Sequence, residues 1–358
     1  MSIFHSIGKV AMTGALALSI MLPSIASAQD VPDPVNADEL ATLSGDILVD
    51  GSSTVFPVTA AAAEEFEQWA PDVRTTVGIS GTGGGFERFC RGETDMSNAS
   101  RPIRPTEVEL CAENNVEFIE LPVAFDGLTV VVHPDNDWAS CLTVPELRMM
   151  WEPAAEGTIS NWNQIRADFP DAPLNLYGAG TDSGTFDYFT EAIVGETDAS
   201  RGDYQASEDD NILVQGVSGD KNALGYFGYA YYQENQDALK AVAIDNGDGN
   251  CVLPSAETVN NGTYQPLSRP LFIYVKVESA ARPEVAGFVN YMLSPSFTPL
   301  LETPEVGYIE LPIEIYDAVN ARFAGMVTGT LWADGGEVGA TLDRYLDSAA
   351  TPEASPEA

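Results

Sequence analysis

Three short stretches of hydroxyl-bearing and glycine residues each follow a strand-like run and precede a helix-like run. They read Asp50-Gly51-Ser52-Ser53-Thr54, Ser80-Gly81-Thr82-Gly83-Gly84-Gly85 and Gly178-Ala179-Gly180-Thr181-Asp182-Ser183-Gly184-Thr185. A helix N-terminus presents unpaired N–H groups, glycine lets an anion approach the backbone, and Ser or Thr adds a hydroxyl donor. Each stretch alone is explained as well by ordinary helix capping. Three of them directed at one point would bind an anion.

The strength of such a site must come from direct hydrogen bonds. A helix end contributes about 0.3 to 1 kcal/mol, whereas micromolar affinity corresponds to about −8 kcal/mol. Hydrogen bonds to a charged ligand supply about 1.5 to 3 kcal/mol each. Arg101, in Asn98-Ala99-Ser100-Arg101-Pro102, is the candidate cation for the site. A surface ion pair with one of its many acidic neighbours is the alternative role for this arginine.

Motifs of several other functions are missing from the sequence. Phe86 stands where the dinucleotide pattern G-x-G-x-x-G needs its third glycine, and no G-x-x-x-x-G-K-[ST] occurs. The nucleophile elbow G-x-S-x-G is absent as well. The run from Asp245 to Asn250 lacks calcium-loop spacing and indicates a tight turn. The aromatic run from Tyr226 to Tyr232 fits a half-buried strand better than a sugar platform. We therefore expect no catalytic residues, no metal and no cofactor.

Strand-like and helix-like runs alternate along the chain and must position these stretches. Residues 47–49 and 75–79 are strand-like, and residues 60–69 are helix-like. This alternation favours an α/β fold with mainly parallel sheets. Apolar runs at residues 128–132 and 271–275 are continuous, as in strands covered on both faces.

These two runs suggest a division of the chain if they are the crossings between two lobes. Lobe one would then comprise residues 44–127 and 276–345, and lobe two residues 128–275. Residues 29–43 are rich in Pro, Asp and Ala and are expected to form a flexible lead-in. Residues 346–358 are expected to form a disordered acidic tail.

The N-terminus has the features of a secretory signal peptide. Lys9 precedes an apolar run over residues 10–25, which ends at Ala26-Ser27-Ala28. This order predicts cleavage before Gln29 and a soluble protein free in the periplasm. Removal of 28 residues from 358 would leave 330, which is enough chain for two domains of ordinary size.

Charge and cysteine content narrow the possibilities further. The formal net charge is −38, and loss of Lys9 takes it to −39, so nucleic acid and anionic membranes are unfavourable partners. Four cysteines in an oxidising compartment favour two disulfides. Pairing Cys90 with Cys111, and Cys141 with Cys251, keeps each bond inside one proposed lobe.

Five segments together resemble the phosphate-binding PstS family of ABC importers, and most closely its SphX-like branch. The resemblance extends from about residue 47 to residue 275. It rests on the Asp50-Gly51-Ser52-Ser53-Thr54-Val55-Phe56-Pro57 run, residues 78–85, residues 98–102, Thr181-Asp182-Ser183-Gly184-Thr185 and Gly225-Tyr226-Phe227-Gly228-Tyr229.

The resemblance implies a two-lobed type II periplasmic-binding-protein fold of class α/β. Two mixed, mainly parallel sheets would be joined by two crossing strands, with inorganic phosphate closed between the lobes. It further implies a monomer that delivers phosphate to membrane permease subunits and catalyses nothing. The residues expected to contact phosphate are Ser53, Thr54, Val55, Ser80, Gly81, Thr82, Ser100, Arg101, Ser183, Gly184 and Thr185.

The sequence departs from better-known members of this family at two places. Those members have an acidic acceptor where Arg101 stands, and an arginine just before the Ser-Gly-Thr triplet, where this chain has Ala179 and Gly180. The group that accepts the proton of hydrogen phosphate is therefore open among Asp50, Asp126 and Asp182. An exported enzyme acting on phosphate esters, or a receptor for another oxyanion or sugar, are the alternative functions.

Overall fold

The computed structural model describes residues 34, 36–181, 183–303, 305–333, 335 and 340–350. Strands and helices alternate along these residues. The strands are β1 (Ser44–Gly51), β2 (Asp72–Val77), β3 (Met96–Ala99), β4 (Phe118–Val132), β5 (Cys141–Thr143), β6 (Asn175–Ala179), β7 (Gln205–Ser207), β8 (Ala223–Gly228), β9 (Lys240–Ala241), β10 (Ala243–Asp245) and β11 (Ser268–Lys276).

The helices cover these strands. They are α1 (Ala37–Leu40), α2 (Phe56–Trp69), α3 (Gly81–Cys90), α4 (Pro105–Glu113), α5 (Val144–Trp151), α6 (Gly184–Phe189), α7 (Asp210–Ser218), α8 (Tyr229–Glu234), α9 (Ala256–Asn260), α10 (Val277–Ala280), α11 (Pro283–Met292), α12 (Ile313–Ala324) and α13 (Asp343–Ala350). α6 continues directly into a π-helical turn at Thr190–Val194, and 3-10 turns lie at Pro153–Ala155, Trp162–Gln164 and Thr298–Glu302.

The long strand β4 links the two halves of a mixed sheet. The hydrogen-bonded order is β2-β1-β3-β11-β4-β8-β6-β7, with β9 also on β4. β4 is buried along its whole length. It pairs with β11 as far as Gly127 and with β8 from Leu128 onward. The predicted α/β fold is confirmed.

Strand direction divides this sheet into parallel outer parts and an antiparallel centre. β1 runs parallel to β2 and β3, and β6 runs parallel to β7 and β8. β4 is antiparallel to both β11 and β8, and β11 is also antiparallel to β3. Parallel pairing therefore dominates only in the outer parts.

Both predicted disulfides are present. Cys90 at the end of α3 bonds Cys111 on α4, and Cys141 of β5 bonds Cys251. The second bond closes a small two-stranded sheet, in which β5 and β10 run parallel. Among the described residues, no helix combines the length and the apolar character that crossing a membrane requires.

Four segments differ from the sequence-based expectations. Within the expected lead-in, α1 is helical because Leu40 is buried at 2% exposure. The aromatic run is not one strand: β8 ends at Gly228 and α8 begins at Tyr229, because Tyr226 and Phe227 are both buried and do not alternate. Residues 272–275 of β11, which belong to a run expected to cross between the lobes, pair with β3. Within the expected tail, α13 extends to Ala350.

Candidate anion-binding site

Three loops leave adjacent strands at the same edge of the sheet. The first loop (residues 52–55) follows β1 and the second loop (residues 78–80) follows β2. The loop after β3 (residues 100–104) is called the fourth loop, because the third hydroxyl-bearing stretch follows β6. The strands run parallel in the order β2-β1-β3, so their carboxyl ends lie side by side. Backbone hydrogen bonds join Ser80 N to Gly51 O at 3.1 Å and Ser52 N to Asn98 O at 3.0 Å.

Gly85 brings α3 close to β1. A Cβ atom at this position would lie 2.5 Å from the Gly51 Cα and 2.9 Å from the Ser97 Oγ, so a larger residue would push the helix away. The close approach places the N-terminus of α3 beside the first loop. It explains why position 85 needs a glycine.

The N-termini of α2 and α3 have no side-chain cap from their own N-cap residues. Val55 stands at the N-cap of α2 and has no polar group, and the hydroxyl of Ser80 makes no capping hydrogen bond in α3. By contrast, Ser183 caps α6, where its Oγ accepts a hydrogen bond from Thr185 N at 3.2 Å. First-turn N–H groups of α3 are thus available to a ligand, whereas in α2 Phe56 N already donates to Ser52 O at 3.0 Å and Pro57 has no N–H.

The fourth loop lies against α3 and contains Ser100 and Arg101. The Ser100 and Thr82 hydroxyls are 3.0 Å apart, and Ser100 N donates to Thr82 Oγ1 at 3.2 Å. Arg101 forms a two-pronged ion pair with Glu107, with Nη1 to Oε2 at 2.9 Å and Nη2 to Oε1 at 2.7 Å. The ion-pair alternative that the sequence left open is therefore present. A ligand role for Arg101 stays a prediction.

The third loop, which has Gly180 and Ser183 among its residues, brings the start of α6 to the first loop. It follows β6, in the half of the sheet beyond β4, and leads into α6. A Cβ atom on Gly184 would lie 2.4 Å from Thr54 Oγ1 and 3.2 Å from the Thr54 Cα. The Thr54 and Gly184 segments, predicted from different parts of the sequence, are thus in contact.

A buried arginine missed by the sequence analysis lies at this contact. Arg269, the second residue of β11, is 7% exposed and donates from Nη2 to Thr54 Oγ1 at 3.2 Å. Its Nε donates to Asp126 Oδ2 at 3.1 Å, and its guanidinium lies 3.7 Å from the centre of the Tyr188 ring. A charged residue inside a fully buried strand needs a partner. That signal in Ser268-Arg269-Pro270 could have identified it.

The three acidic candidates have different surroundings. Asp50 lies behind the first loop, where it accepts from Gly51 N at 2.7 Å and pairs with Arg88 of α3. Asp126 lies on β4 and accepts a hydrogen bond from Arg269, which also donates to Thr54. Burial raises the pKa of Asp126, and the charge and hydrogen bond of Arg269 oppose this shift. Asp182 lies outside the described residues.

Together these groups form a site suited to a small oxyanion. Hydroxyl groups and helix N-termini come from loops at the carboxyl ends of strands, which is where open α/β sheets bind ligands. Within the described residues, no group of three or more His, Cys, Asp or Glu side chains could hold a metal ion. Fold and site define a binding protein for a small anion.

Comparison with known proteins agrees with this class. Residues 36–296 match the model of the PBP superfamily domain. SphX of Synechocystis is 50% identical over 308 residues, which are 86% of this chain and 90% of that protein. The phosphate-binding protein PstS of Staphylococcus saprophyticus is 34% identical over 285 residues, which are 79% of this chain and 86% of that protein.

Among solved structures, a possible phosphate-binding protein from Planctomyces limnophilus is similar to this chain. It has 48% sequence identity and a TM-score of 0.75, and the match covers 80% of this chain and 100% of that one. The chain belongs to the PstS family of phosphate-binding proteins, and its SphX members are among its relatives.

Proposed function

We propose that this protein captures inorganic phosphate and delivers it to an ABC-type import permease. The carrying observation is the contact between Thr54 of the first loop and Gly184 of α6, which unites hydroxyl and N–H donors from two halves of the sheet. The names of its relatives support phosphate as the ligand. The PstS relative and the Planctomyces structure are named as phosphate-binding proteins, which supports a carrier and not an enzyme.

The proposed phosphate contacts come from three places. The first loop contributes Ser53, Thr54 and Val55, α3 and its N-cap contribute Ser80, Gly81 and Thr82, and α6 and its N-cap contribute Ser183, Gly184 and Thr185. Ser100 supports this set through its contact with Thr82. Arg101→Ala decides whether Arg101 is also one of the residues that contact phosphate.

For the proton of hydrogen phosphate we propose Asp126 as the acceptor. Both oxygens of Asp50 already have partners in Gly51 and Arg88. Asp126 shares Arg269 with Thr54, and the charge and hydrogen bond of Arg269 favour its carboxylate form, although burial raises its pKa. Asp126→Asn should lower the ratio of phosphate affinity to sulfate affinity. An unchanged ratio would exclude Asp126 as the proton acceptor.

The protein would work as two lobes that close on the ligand, because β4 exchanges β11 for β8 between Gly127 and Leu128. The returning crossing would then lie near Ser268, where β11 begins. We further propose export with cleavage before Gln29, which N-terminal sequencing of the secreted protein checks. A monomer is expected, and sedimentation tests it.

Isothermal titration calorimetry of the mature protein tests the function. Phosphate, sulfate, a phosphomonoester and glucose are titrated separately into the chain that begins at Gln29. We expect saturable heat with phosphate at micromolar affinity or tighter, equivalent to about −8 kcal/mol. Saturable heat with sulfate or glucose but none with phosphate would overturn the proposal. Turnover of the phosphomonoester would identify an enzyme instead.

A further inference from the structure

Arg269 and Asp126 form a cross-strand pair where the sheet changes partners. They are register partners on β11 and β4. The next pair, Ser268 with Gly127, is the last before β4 turns to β8 at Leu128. The ion pair is therefore on both crossing strands, and both side chains are at least nine-tenths buried.

The guanidinium of Arg269 also contacts both sides of the site. Nη2 donates to Thr54 of the first loop, and the Tyr188 ring of α6 lies 3.7 Å away. Tyr188 is itself held by its hydroxyl, which donates to Pro266 O at 2.7 Å. One cation thus connects the crossing strands, the first loop and α6.

This arginine has donors to spare. Its hydrogen bonds to described residues use Nε and one N–H of Nη2, and Nη1 has no hydrogen-bond partner among them. Burying an ion pair costs several kcal/mol per ion in desolvation, so such a pair adds little to stability by itself. A buried guanidinium with unused donors beside hydroxyl-bearing loops is well placed to meet an oxyanion.

We propose that Arg269, anchored by Asp126 at the junction of β4 with β11 and β8, supplies the cation that contacts the bound anion. This inference rests on the proposed function. The same guanidinium contacts Thr54 of the first loop and Tyr188 of α6. It is therefore placed to contact an anion that lies between these two elements.

Two substitutions test the role of Arg269. Arg269→Gln keeps a donor for Asp126 but removes the charge, and Arg269→Lys keeps the charge but removes the planar fork. Removing one partner of a buried charge pair costs 2 kcal/mol or more, so Arg269→Gln should weaken phosphate binding at least about 30-fold. Arg269→Lys should restore only part of the affinity. Calorimetry with inorganic phosphate measures both.

The fold of these variants is checked by thermal unfolding. Burial raises the pKa of Asp126, so without the arginine this carboxyl can take up a proton instead of staying buried and charged. Arg166 provides a matched control, because it is ion-paired with Glu146 and lies 5.0 Å from the Phe169 ring, away from the loops. Arg166→Lys should leave phosphate affinity unchanged.

The outcomes separate this inference from the proposed function. If wild type binds phosphate and a folded Arg269→Gln variant binds it within threefold, Arg269 is not the cation. If wild type binds sulfate and no phosphate, the proposed function fails. Loss of that sulfate binding in Arg269→Gln would still support Arg269 as the cation, and its retention would overturn both.

Discussion

At the scale of single residues, the contact between Thr54 and Gly184 leaves no room for a side chain. Thr54 Oγ1 already accepts a hydrogen bond from Arg269, so this hydroxyl cannot move without disturbing the buried cation. The Tyr308 hydroxyl also donates to Thr54 O, which fixes the backbone of the first loop. Thr54 is thus held by groups on several elements.

Gly184→Ala should therefore weaken phosphate binding. The added methyl would lie 2.4 Å from Thr54 Oγ1. Overpacking of this kind costs about 1 to 3 kcal/mol, which corresponds to about 5-fold to 150-fold in affinity. Calorimetry measures the change. Gly202→Ala is the control, since its methyl would find only ordinary contact, at 3.6 Å from Glu156 Oε2. Equal affinity of the Gly184→Ala variant and wild type would contradict the contact.

Arg101→Ala distinguishes the two roles of that arginine. Glu107 occupies both terminal nitrogens, and the pair is partly exposed, at 20% and 15% for the two side chains. We expect phosphate affinity to change by less than about 1 kcal/mol, as for a partly solvated ion pair. If Arg101 instead contacts phosphate directly, Arg101→Ala should weaken phosphate binding by about 2 to 5 kcal/mol. Calorimetry at low and high salt gives the answer, and a large loss that persists in salt would make Arg101 a ligand.

At the scale of elements, one buried carboxylate fastens the C-terminal segment to β4. Glu120 is fully buried and accepts hydrogen bonds from the Tyr274 hydroxyl at 2.8 Å and from Leu331 N at 2.9 Å. The Tyr345 hydroxyl of α13 lies 3.2 Å from its Oε1, and Thr330 Oγ1 donates to its Oε2. Glu120 thus holds the segment that follows α12 together with two other contacts, from Arg322 Nη2 to Gly329 O at 2.6 Å and from Gly329 N to Phe118 O at 2.9 Å.

Glu120→Ala should lower the free energy of unfolding by about 3 kcal/mol, because several buried donors lose their acceptor. Glu120→Gln keeps one acceptor oxygen and should lose less. Urea unfolding followed by circular dichroism measures both variants. Phosphate affinity of the folded variants serves as a second readout. The cluster reaches the fourth loop through Ile103 N, which donates to the Tyr274 hydroxyl at 2.9 Å, so we expect a smaller effect on affinity than on stability. A Glu120→Ala variant as stable as wild type would show that the segment is held by other contacts.

The helix α6 carries a carboxyl group that makes stability depend on pH. Burial and then the hydrogen bond with Asp198 raise the pKa of Asp187 to about 6, with a further contribution from Glu191 and an opposing one from Arg269. The folded state holds this proton more tightly than the unfolded chain does. The resulting stability is present below the ordinary pKa of about 4 and is lost as pH rises through 6.

The melting temperature of wild type should therefore fall between about pH 5 and pH 7.5. Burial raises the pKa of Asp210 to about 7, so this group contributes a loss in the same direction. Asp187→Asn should be more stable than wild type at pH 7.5 but not at pH 5, and scanning fluorimetry across this range measures the difference. A difference that is the same at both pH values would contradict the assignment to Asp187.

At the scale of the whole molecule, the charge opposes the ligand. The formal net charge is −38, whereas hydrogen phosphate is itself an anion. The long-range field therefore repels the ligand, and binding must come from short-range contacts within the site. Raising ionic strength shortens the screening length from about 30 Å at 0.01 M to about 10 Å at 0.1 M.

The association rate for phosphate should thus increase with added salt over this range. Stopped-flow mixing, with tryptophan fluorescence as the signal, measures the association and dissociation rates separately. The dissociation rate should change little, because the contacts in a buried site are screened weakly. An association rate that falls with salt would mean that a local positive field dominates the approach.

The sequence alone determined the features that depend on neighbouring residues. Strand, hydroxyl loop and helix follow one another within a few residues, so the first, second and third loops could be identified from composition and order. The disulfide between Cys90 and Cys111 could also be predicted from the sequence, because both cysteines belong to one α/β stretch. Charge and the absence of other motifs excluded most alternative functions.

Tertiary structure decided which distant residues meet. Arg269 and Asp126 are 143 positions apart, and their contact depends on the register between β11 and β4, which no local pattern encodes. Arg101 has several acidic neighbours, and the geometry of α4 selected Glu107 among them. Local sequence specifies which donors a loop can offer, but the folded sheet specifies which charges stand beside them, because a buried charge is paired through space.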